Sequence, residues 1–160
     1  MNLIDCSYYY VGTLQIENAR PLDDLDNNAH AVQELIDAYI GRYQPDFLRK
    51  MLGDALKAQV EAYLDAGTIG DMEELCERLR LPFAHYVYYK LAGDVNQNLT
   101  ATGLVVFKSA NTHQSPRQRM VKVWNEMVEL NREFVKWAES SDYDVYYYDE
   151  MIIPINEFNI

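Results

Sequence analysis

The sequence is poor in the residues that build metal sites and disulfide frameworks. It has two cysteines, Cys6 and Cys76, which are too few for a disulfide framework or a four-cysteine zinc site, and both are expected to be idle reduced thiols. The three histidines fall on separate predicted elements. No His-x3-His, Cys-x2-Cys or Asp-x-Asp-x-Asp-Gly pattern occurs. The sequence therefore offers no support for a metal site.

Long apolar runs and a leader are also missing. No run approaches the roughly 18 consecutive apolar residues that span a bilayer, so we expect no membrane partner. Met1–Asp5 has no basic region followed by an apolar stretch, and we therefore expect no secretory signal. With 49% hydrophobic and 24% charged residues in a chain of 160, the composition predicts one folded domain over 1–160.

Catalytic groupings are equally scarce. The sequence has no Gly-rich phosphate loop and no Gly-x-Ser-x-Gly pattern, and its titratable residues are not grouped along the chain. Cys76 stands beside Glu77, an acidic neighbour that disfavours the thiolate form. Asp23, Asp24 and Asp26 are better explained as a solvated loop before a helix than as a cation site. We therefore predict a protein that is not an enzyme and needs no cofactor.

Negative charge, by contrast, is in excess. Lys and Arg total 14 against 25 Asp and Glu, which gives a net charge of −11 and repels nucleic acid on average. Leu99–Ala138 holds six basic residues and three acids, whereas the segment from Glu139 to the end holds six acids and no base. A positive middle and a negative end predict pairing within one chain or between neighbouring copies.

Tyrosine is the second excess. Ten of the 13 tyrosines fall in three clusters, and protein interfaces favour tyrosine because its ring is large, stiff and polar at one end. We interpret the two terminal clusters as interface residues, with half-exposed strand and helix positions as the alternative. Core packing explains the middle cluster at least as well. The clusters are Tyr8, Tyr9 and Tyr10; Tyr86, Tyr88 and Tyr89; and Tyr143, Tyr146, Tyr147 and Tyr148.

Apolar residues at helical spacing predict a mainly α-helical protein, a small bundle of four to five helices. Pro45 and Pro82 are expected to end helices, because proline lacks the backbone N–H and crowds the preceding turn. Gly53 interrupts an apolar face and predicts a bend or close packing. The expected helices within 28–98 are 29–43, 46–66, a third that begins at 68–71 and ends at 82, and 83–91.

The last helix, within 115–139, carries the clearest signals. Ser115 is a good N-cap, and Pro116 suits the first helical position. Around the helices we expect three extended segments. These are an N-terminal segment over 1–27 with a strand at Tyr8–Ile16, a β-hairpin-like arm over 99–114, and a C-terminal tail over 140–160.

Three basic residues lie at the start of the last helix, namely Arg117, Arg119 and Lys122. Cations at a helix N-terminus slightly oppose the helix dipole, which favours a partner for them. That partner is either an acidic protein surface, such as Asp142–Glu150 of another copy, or nucleic-acid phosphate. A solvated first turn is the third interpretation, and the sequence leaves all three open.

Two blocks of the sequence resemble a known family. Tyr43–Leu56 resembles the start of the second helix in head–tail connector (adaptor) proteins of tailed bacteriophages and prophages, especially those of gut Bacteroidetes hosts. The second block resembles the family's aromatic helix, its Thr-Gly loop and its Ser-Pro entry into a long final helix. This block comprises His85–Tyr89, Thr102-Gly103, Ala110-Asn111, Ser115–Val121 and Trp124–Val128.

The resemblance implies a structural virion protein. About a dozen copies would form a closed neck ring under the portal protein, through heterologous contacts between neighbours. The ring would join the capsid to the tail, and the double-stranded genome would pass through it. The implied partners are the portal protein, neighbouring copies and the next neck or tail protein. The implied location is the head–tail junction of the virion, and the host cytoplasm during assembly.

We expect the arm, the tail and the N-terminal strand to make these contacts, for example by adding to a neighbour's sheet edge. Truncation at Ser141 is expected to leave the helices folded while assembly is lost. The alternative hypothesis is a monomeric phage-encoded adaptor that binds a host or phage protein through the same tyrosines. The expected interface residues are Tyr8, Tyr9, Tyr10, Thr102, Gly103, Val105, Phe107, Arg117, Arg119, Lys122, Tyr143, Tyr146, Tyr147, Tyr148, Ile152, Ile153 and Phe158.

Overall fold

Three α-helices make up most of the computed structural model, which describes residues 1–21, 27–67, 70–97 and 115–158. Of the described residues, 71% are helical and none forms a strand, so the prediction of a mainly α-helical protein is confirmed. None of the described helices is both long and apolar enough to cross a membrane. The elements are α1 over Asn27–Ala66, α2 over Glu73–Gln97, α3 over Pro116–Ala138, and two 3-10 turns over Cys6–Tyr9 and Asp149–Ile152.

The predicted arm over 99–114 lies outside the described residues. Four of the expected interface residues belong to it and therefore remain predictions from the sequence alone. They are Thr102, Gly103, Val105 and Phe107.

The two prolines that were expected to end helices both lie within helices, so the prediction of four to five helices is wrong for the described part of the chain. Pro45 lies inside α1 and Pro82 inside α2. An interior proline costs a helix about 3 kcal/mol. Each is followed closely by a phenylalanine that the core buries fully, and the rings of Phe47 and Phe83 lie 5.1 Å apart. Burying such rings contributes roughly 2–3 kcal/mol each, which offsets most of the cost of each proline.

The break in α1 falls at Gly53 instead. Its φ of 73° and ψ of 172° lie outside the helical region, in a part of backbone space that is essentially restricted to glycine. The residues on both sides remain helical, so α1 consists of two helical pieces joined at this bend. The sequence-based prediction of a bend or close packing at Gly53 is confirmed.

The start of α3 follows the sequence signals. Ser115 Oγ accepts a hydrogen bond from the Gln118 backbone N–H at 3.2 Å, and Gln118 Oε1 accepts one from the Ser115 N–H at 3.2 Å. This reciprocal capping box satisfies donors that have no partner within the helix. Pro116 occupies the first turn, as its fixed φ predicts.

The N-terminal segment is not the predicted strand. Asp5 accepts a hydrogen bond from the Ser7 N–H at 2.8 Å and so begins the first 3-10 turn. The Tyr9 side chain is fully buried and donates its hydroxyl hydrogen to a carbonyl of α2 at 3.0 Å. The prediction of an extended segment over 1–27 is therefore wrong for its described part, residues 1–21, because apolar side chains at irregular spacing fill the space beside the helices. Those buried are Leu3, Ile4, Cys6, Tyr9, Leu14, Ile16 and Ala19.

The middle tyrosine cluster lies on α2, which packs against both α1 and α3. Tyr86 and Tyr88 are fully buried. The Tyr86 ring lies 5.5 Å from Phe47 of α1 and 6.4 Å from Trp124 of α3. Tyr89 is half-buried, with its ring 4.8 Å from Trp124. The core-packing interpretation of this cluster is therefore the correct one.

Candidate interaction surface

Residues 142–158, called the C-terminal segment below, return to the bundle after α3. They run across α1, form the second 3-10 turn and then follow α3. Met151, in that turn, is fully buried. The expectation of an extended tail is thus met only in local conformation, since the segment is packed on its own chain.

The first half of the C-terminal segment binds the broken part of α1. The Tyr146 N–H donates to the Leu52 carbonyl at 3.4 Å, and the Tyr148 N–H donates to the Lys50 carbonyl at 2.8 Å. A helix end leaves its last carbonyls without donors inside the helix, and the bend at Gly53 creates such an end in the middle of α1. The C-terminal segment supplies donors to two of these carbonyls.

The second half is held by asparagine side chains of α3. Asn125 exchanges two hydrogen bonds with the Ile155 backbone, donating from Nδ2 at 3.0 Å and accepting at Oδ1 at 2.8 Å. Asn131 is fully buried and donates from Nδ2 to the Met151 carbonyl at 2.7 Å. These bonds fix the backbone of the C-terminal segment along the middle of α3.

Lys50 links the C-terminal segment to two helices. Its Nζ lies 2.9 Å from Glu150 Oε1 and 3.1 Å from Asp46 Oδ2, and it donates to the Tyr86 hydroxyl at 3.3 Å. Burial opposes the positive charge, but hydrogen bonds to Glu150, Tyr86 and Asp46 outweigh it and hold the pKa of Lys50 above its usual range. Burial and the hydrogen bond to Asp46 raise the pKa of Tyr86, which stays a neutral donor.

Large apolar side chains are exposed along this fixed backbone. The exposed fraction is 97% for Phe158, 77% for Tyr146, 53% for Ile153 and 45% for Tyr148. A backbone that is already ordered loses little conformational freedom when the segment binds a partner, and large exposed apolar side chains are found at interaction sites. The C-terminal segment is therefore the strongest candidate interaction surface among the described residues.

The same segment is negatively charged. Of its acids, only Glu150 forms an ion pair with another residue that the structure describes, namely Lys50. Carboxylates beside exposed tyrosines favour a positively charged partner surface and disfavour a polyanion. The exposed acids are Asp142, Asp144, Asp149, Glu150 and Glu157.

Three other expected interface residues of the C-terminal segment are half-buried. Tyr143 donates its hydroxyl hydrogen to the Asp71 carbonyl, and its ring lies 5.8 Å from Trp137. Tyr147 lines a small cavity against the end of α3. Ile152 accepts a hydrogen bond at its carbonyl from α3. These three residues hold the segment in place while their neighbours stay exposed.

The N-terminal tyrosines divide between core and surface. Tyr9 is buried in its own core, so a partner cannot reach it, and its assignment to the interface is wrong in this fold. Tyr8 and Tyr10 are half-buried, and the Tyr10 hydroxyl lies 3.1 Å from Cys6 Sγ. Only these two of the three tyrosines remain candidates for contact with a partner.

The basic residues at the start of α3 do not form one exposed patch. Arg119 is buried, with its guanidinium 5.6 Å from the centre of the Tyr88 ring. Lys122 is exposed and lies 3.7 Å from Glu126 Oε1. Arg117 is exposed. A partner at this end of α3 would therefore meet Arg117 and Lys122, whereas Arg119 belongs to the packing between α2 and α3.

Asn125 and Asn131 were not among the residues singled out from the sequence. A signal for Asn131 exists, since it stands at helical spacing between Met127 and Phe134, both buried apolar residues. A polar side chain at such a position requires a buried hydrogen-bond partner. The sequence does not indicate that the partner is a carbonyl 20 residues further along the chain.

Comparisons with known proteins do not assign a function to this surface, so we interpret it from its own chemistry. No family model, curated protein or solved structure matches the chain. In the ranges that the structure describes, no group of three or more His, Cys, Asp or Glu side chains is placed to hold a metal ion. The function is therefore argued from the exposed aromatic and acidic face of the C-terminal segment.

Proposed function

We propose that this chain is a structural virion protein, a subunit of a head–tail connector ring that docks under the portal protein. One observation carries the proposal. Four large apolar side chains are exposed on a segment whose own backbone is already hydrogen-bonded to α1 and α3. Such a surface serves binding, and the resemblance of Tyr43–Leu56 and of the second sequence block supports this class of assembly.

Ring closure requires two different complementary patches on each copy. In the proposal the C-terminal segment is one patch, with its exposed aromatic rings and unpaired carboxylates. The exposed Arg117 and Lys122 at the start of α3 offer positive charge to a neighbouring copy. The arm over 99–114, which is a prediction from the sequence alone, is a further contact element of the proposed assembly. The portal protein and the next neck or tail protein occupy the two faces of the ring.

The charge of the chain suits a passage for DNA. A net charge of −11 repels phosphates, so a genome can slide through a ring of such subunits without being held. About twelve copies in a closed ring are part of the proposal. The subunit acts at the head–tail junction of the virion after assembly in the host cytoplasm.

The test is co-assembly of the full chain with the portal protein encoded in the same genome. A variant carrying Tyr146→Ser, Ile153→Ser and Phe158→Ser removes exposed apolar groups and leaves the core intact. The control, Leu81→Ser, removes an exposed apolar group outside the C-terminal segment. Because a central interface residue commonly contributes 2 kcal/mol or more, the first variant should bind the portal at least about 30-fold more weakly. The control should bind like the original chain.

Electron microscopy of the co-expressed proteins gives the second readout. Rings of this chain seated on the portal support the proposal. A complex with a host or phage protein that contains one copy of the chain and no ring would favour the monomeric adaptor. Failure of the unmodified chain to co-purify with the portal, or equal loss of binding in both variants, overturns the connector assignment.

A further inference from the structure

One edge of the C-terminal segment has backbone groups that no described residue binds. Over 143–148 the side chains alternate between half-buried and exposed, which is the period of an extended strand. Tyr146 and Tyr148 direct their N–H groups at α1. Successive residues of a strand direct their backbone groups to opposite edges. Val145 and Tyr147 therefore present their N–H and C=O groups on the outer edge, where they make no hydrogen bond to any residue that the structure describes.

The residues of this edge also belong to the lining of an open concavity of about 660 Å³, which is formed by Val145–Glu150. Unpaired donors and acceptors at a strand edge are a template for pairing with another chain. An extended segment that crosses the concavity can bond to the N–H and C=O of Val145 and of Tyr147 in the manner of an added strand. The geometry thus offers a site for a backbone, in addition to exposed side chains.

The side chains around the edge select for positive charge. Asp144 and Asp149 are exposed at its two ends, and neither forms an ion pair with a described residue. The exposed rings of Tyr146 and Tyr148 stand on the same segment. Aromatic faces attract lysine and arginine side chains, and so do unpaired carboxylates. An incoming strand that bears lysine or arginine satisfies both.

We propose that Val145 and Tyr147 bind an extended, lysine- or arginine-bearing segment of a partner protein as an added β-strand. This inference deepens the proposed function and rests on it for the place of the partner in the virion. Its chemistry is measurable with a peptide alone, so the two proposals can fail separately.

The probe is a six-residue peptide of alternating lysine and valine, blocked at both ends and titrated into the isotope-labelled full chain. Binding should shift the NMR signals of the Val145 and Tyr147 amides and slow their hydrogen exchange. The Tyr146 and Tyr148 amides, already bonded to α1, serve as the internal control and should change less. The same peptide methylated at every backbone nitrogen should bind roughly 10- to 100-fold more weakly, because it has lost the hydrogen bonds of a strand.

Two charge tests accompany the titration. An acidic peptide of alternating glutamate and valine should not bind. In the chain, Asp144→Asn with Asp149→Asn should weaken binding of the lysine peptide by a factor of about 2 to 5 for each charge at low salt. The matched control, Glu34→Gln with Glu133→Gln, removes two exposed acids of the helices and should leave binding unchanged.

The other possible results of the titration also distinguish strand addition from its absence. No binding at millimolar peptide, equal binding of the methylated or acidic peptide, or shifts that avoid Val145 and Tyr147 overturns strand addition. If strand addition is overturned while rings still form on the portal, the proposed connector function is retained and only this inference is rejected. Peptide binding at Val145 and Tyr147 without co-assembly with the portal protein supports the inference and overturns the proposed connector function.

Discussion

Gly53 and Tyr146 approach so closely that a methyl group on Gly53 would crowd Tyr146. A Cβ built on Gly53 would lie 3.0 Å from Tyr146 Cβ and 3.5 Å from the Tyr146 carbonyl oxygen. The positive φ at Gly53 breaks α1, and the N–H of Tyr146 binds the Leu52 carbonyl beside the break. The bend in the helix and the docking of the C-terminal segment are therefore one structural feature.

Gly53→Ala is expected to destabilise the protein by about 1–3 kcal/mol from backbone strain, with the clash against Tyr146 adding to it. Gly41→Ala is the matched control, since Gly41 lies in the same helix with open space around it. That change should stabilise by about 0.5–1 kcal/mol through helix propensity. Urea unfolding of both variants measures the difference. A neutral Gly53→Ala would show that the close contact relaxes.

Asn131→Ala should destabilise the protein by about 1–3 kcal/mol, because the buried carbonyl of Met151 loses its donor. Asn125→Ala, whose site is only partly buried, should cost less because water can replace the lost bonds. Urea unfolding gives the two free energies. Hydrogen exchange should report faster opening over 149–155 in Asn131→Ala. Equal costs for the two variants would contradict the buried role of Asn131.

Truncation after Ser141 is expected to destabilise the whole bundle. The sequence alone predicts that the helices stay folded without the tail, but loss of the fully buried Met151 side chain costs about 2–5 kcal/mol by itself. A chain that ends at Glu157 is the control, because it keeps Met151 and loses the exposed Phe158. Thermal unfolding should show a much lower midpoint for the first truncation and little change for the second. A cooperative, fully stable chain ending at Ser141 would contradict this.

His85 makes stability depend on pH. It is buried, with Nδ1 donating to the Leu81 carbonyl at 2.9 Å and Nε2 lying 3.6 Å from Glu126 Oε2. Burial lowers the pKa of His85, and the Leu81 carbonyl and Glu126 oppose this only in part. The unfolded chain therefore takes up the proton more readily than the folded one. This contribution to stability is complete above about pH 6.5 and is lost as the pH falls below it.

The urea concentration at the unfolding midpoint should accordingly decrease when the pH is lowered from about 7.5 to about 5.5. His85→Gln should reduce that fall, whereas His30→Gln, on α1, should keep it because His85 is still present. The difference between the two variants isolates the buried imidazole from other titrating groups. An identical pH profile for His85→Gln and the unmodified chain would contradict this role.

Local signals in the sequence predict much of the helical fold. The side chains of Ser115 and Gln118 determine the start of α3 within one turn, and the prediction held there. Gly53 is recognisable because glycine is costly inside an apolar helical face. The predicted helix ends at Pro45 and Pro82 were wrong because the rule that proline ends a helix considers only local sequence. Burial of Phe47 and Phe83 in the core stabilises helices that continue past both prolines.

The sequence predicts which residues form the candidate surface, but it does not predict how the helices hold them in place. Exposed Tyr146, Tyr148, Ile153 and Phe158 were all among the expected interface residues, because aromatic and aliphatic clusters are visible in the sequence. Their support by Asn131 is not visible, since that contact joins residues 20 apart without any shared period. Tyr9 was misplaced for a similar reason, as its partner carbonyl is 75 residues away.

The dependence of α1 on the C-terminal segment has a consequence for synthesis. Residues 142–158 are translated after all three helices. The carbonyls beside Gly53 therefore have no donor from the C-terminal segment until that segment has left the ribosome. A nascent chain stalled before that point has the helices and lacks Met151 in its core. Docking of residues 142–158 therefore acts as the step that locks the bundle, and chains that lack them are expected to be cleaved more readily by proteases.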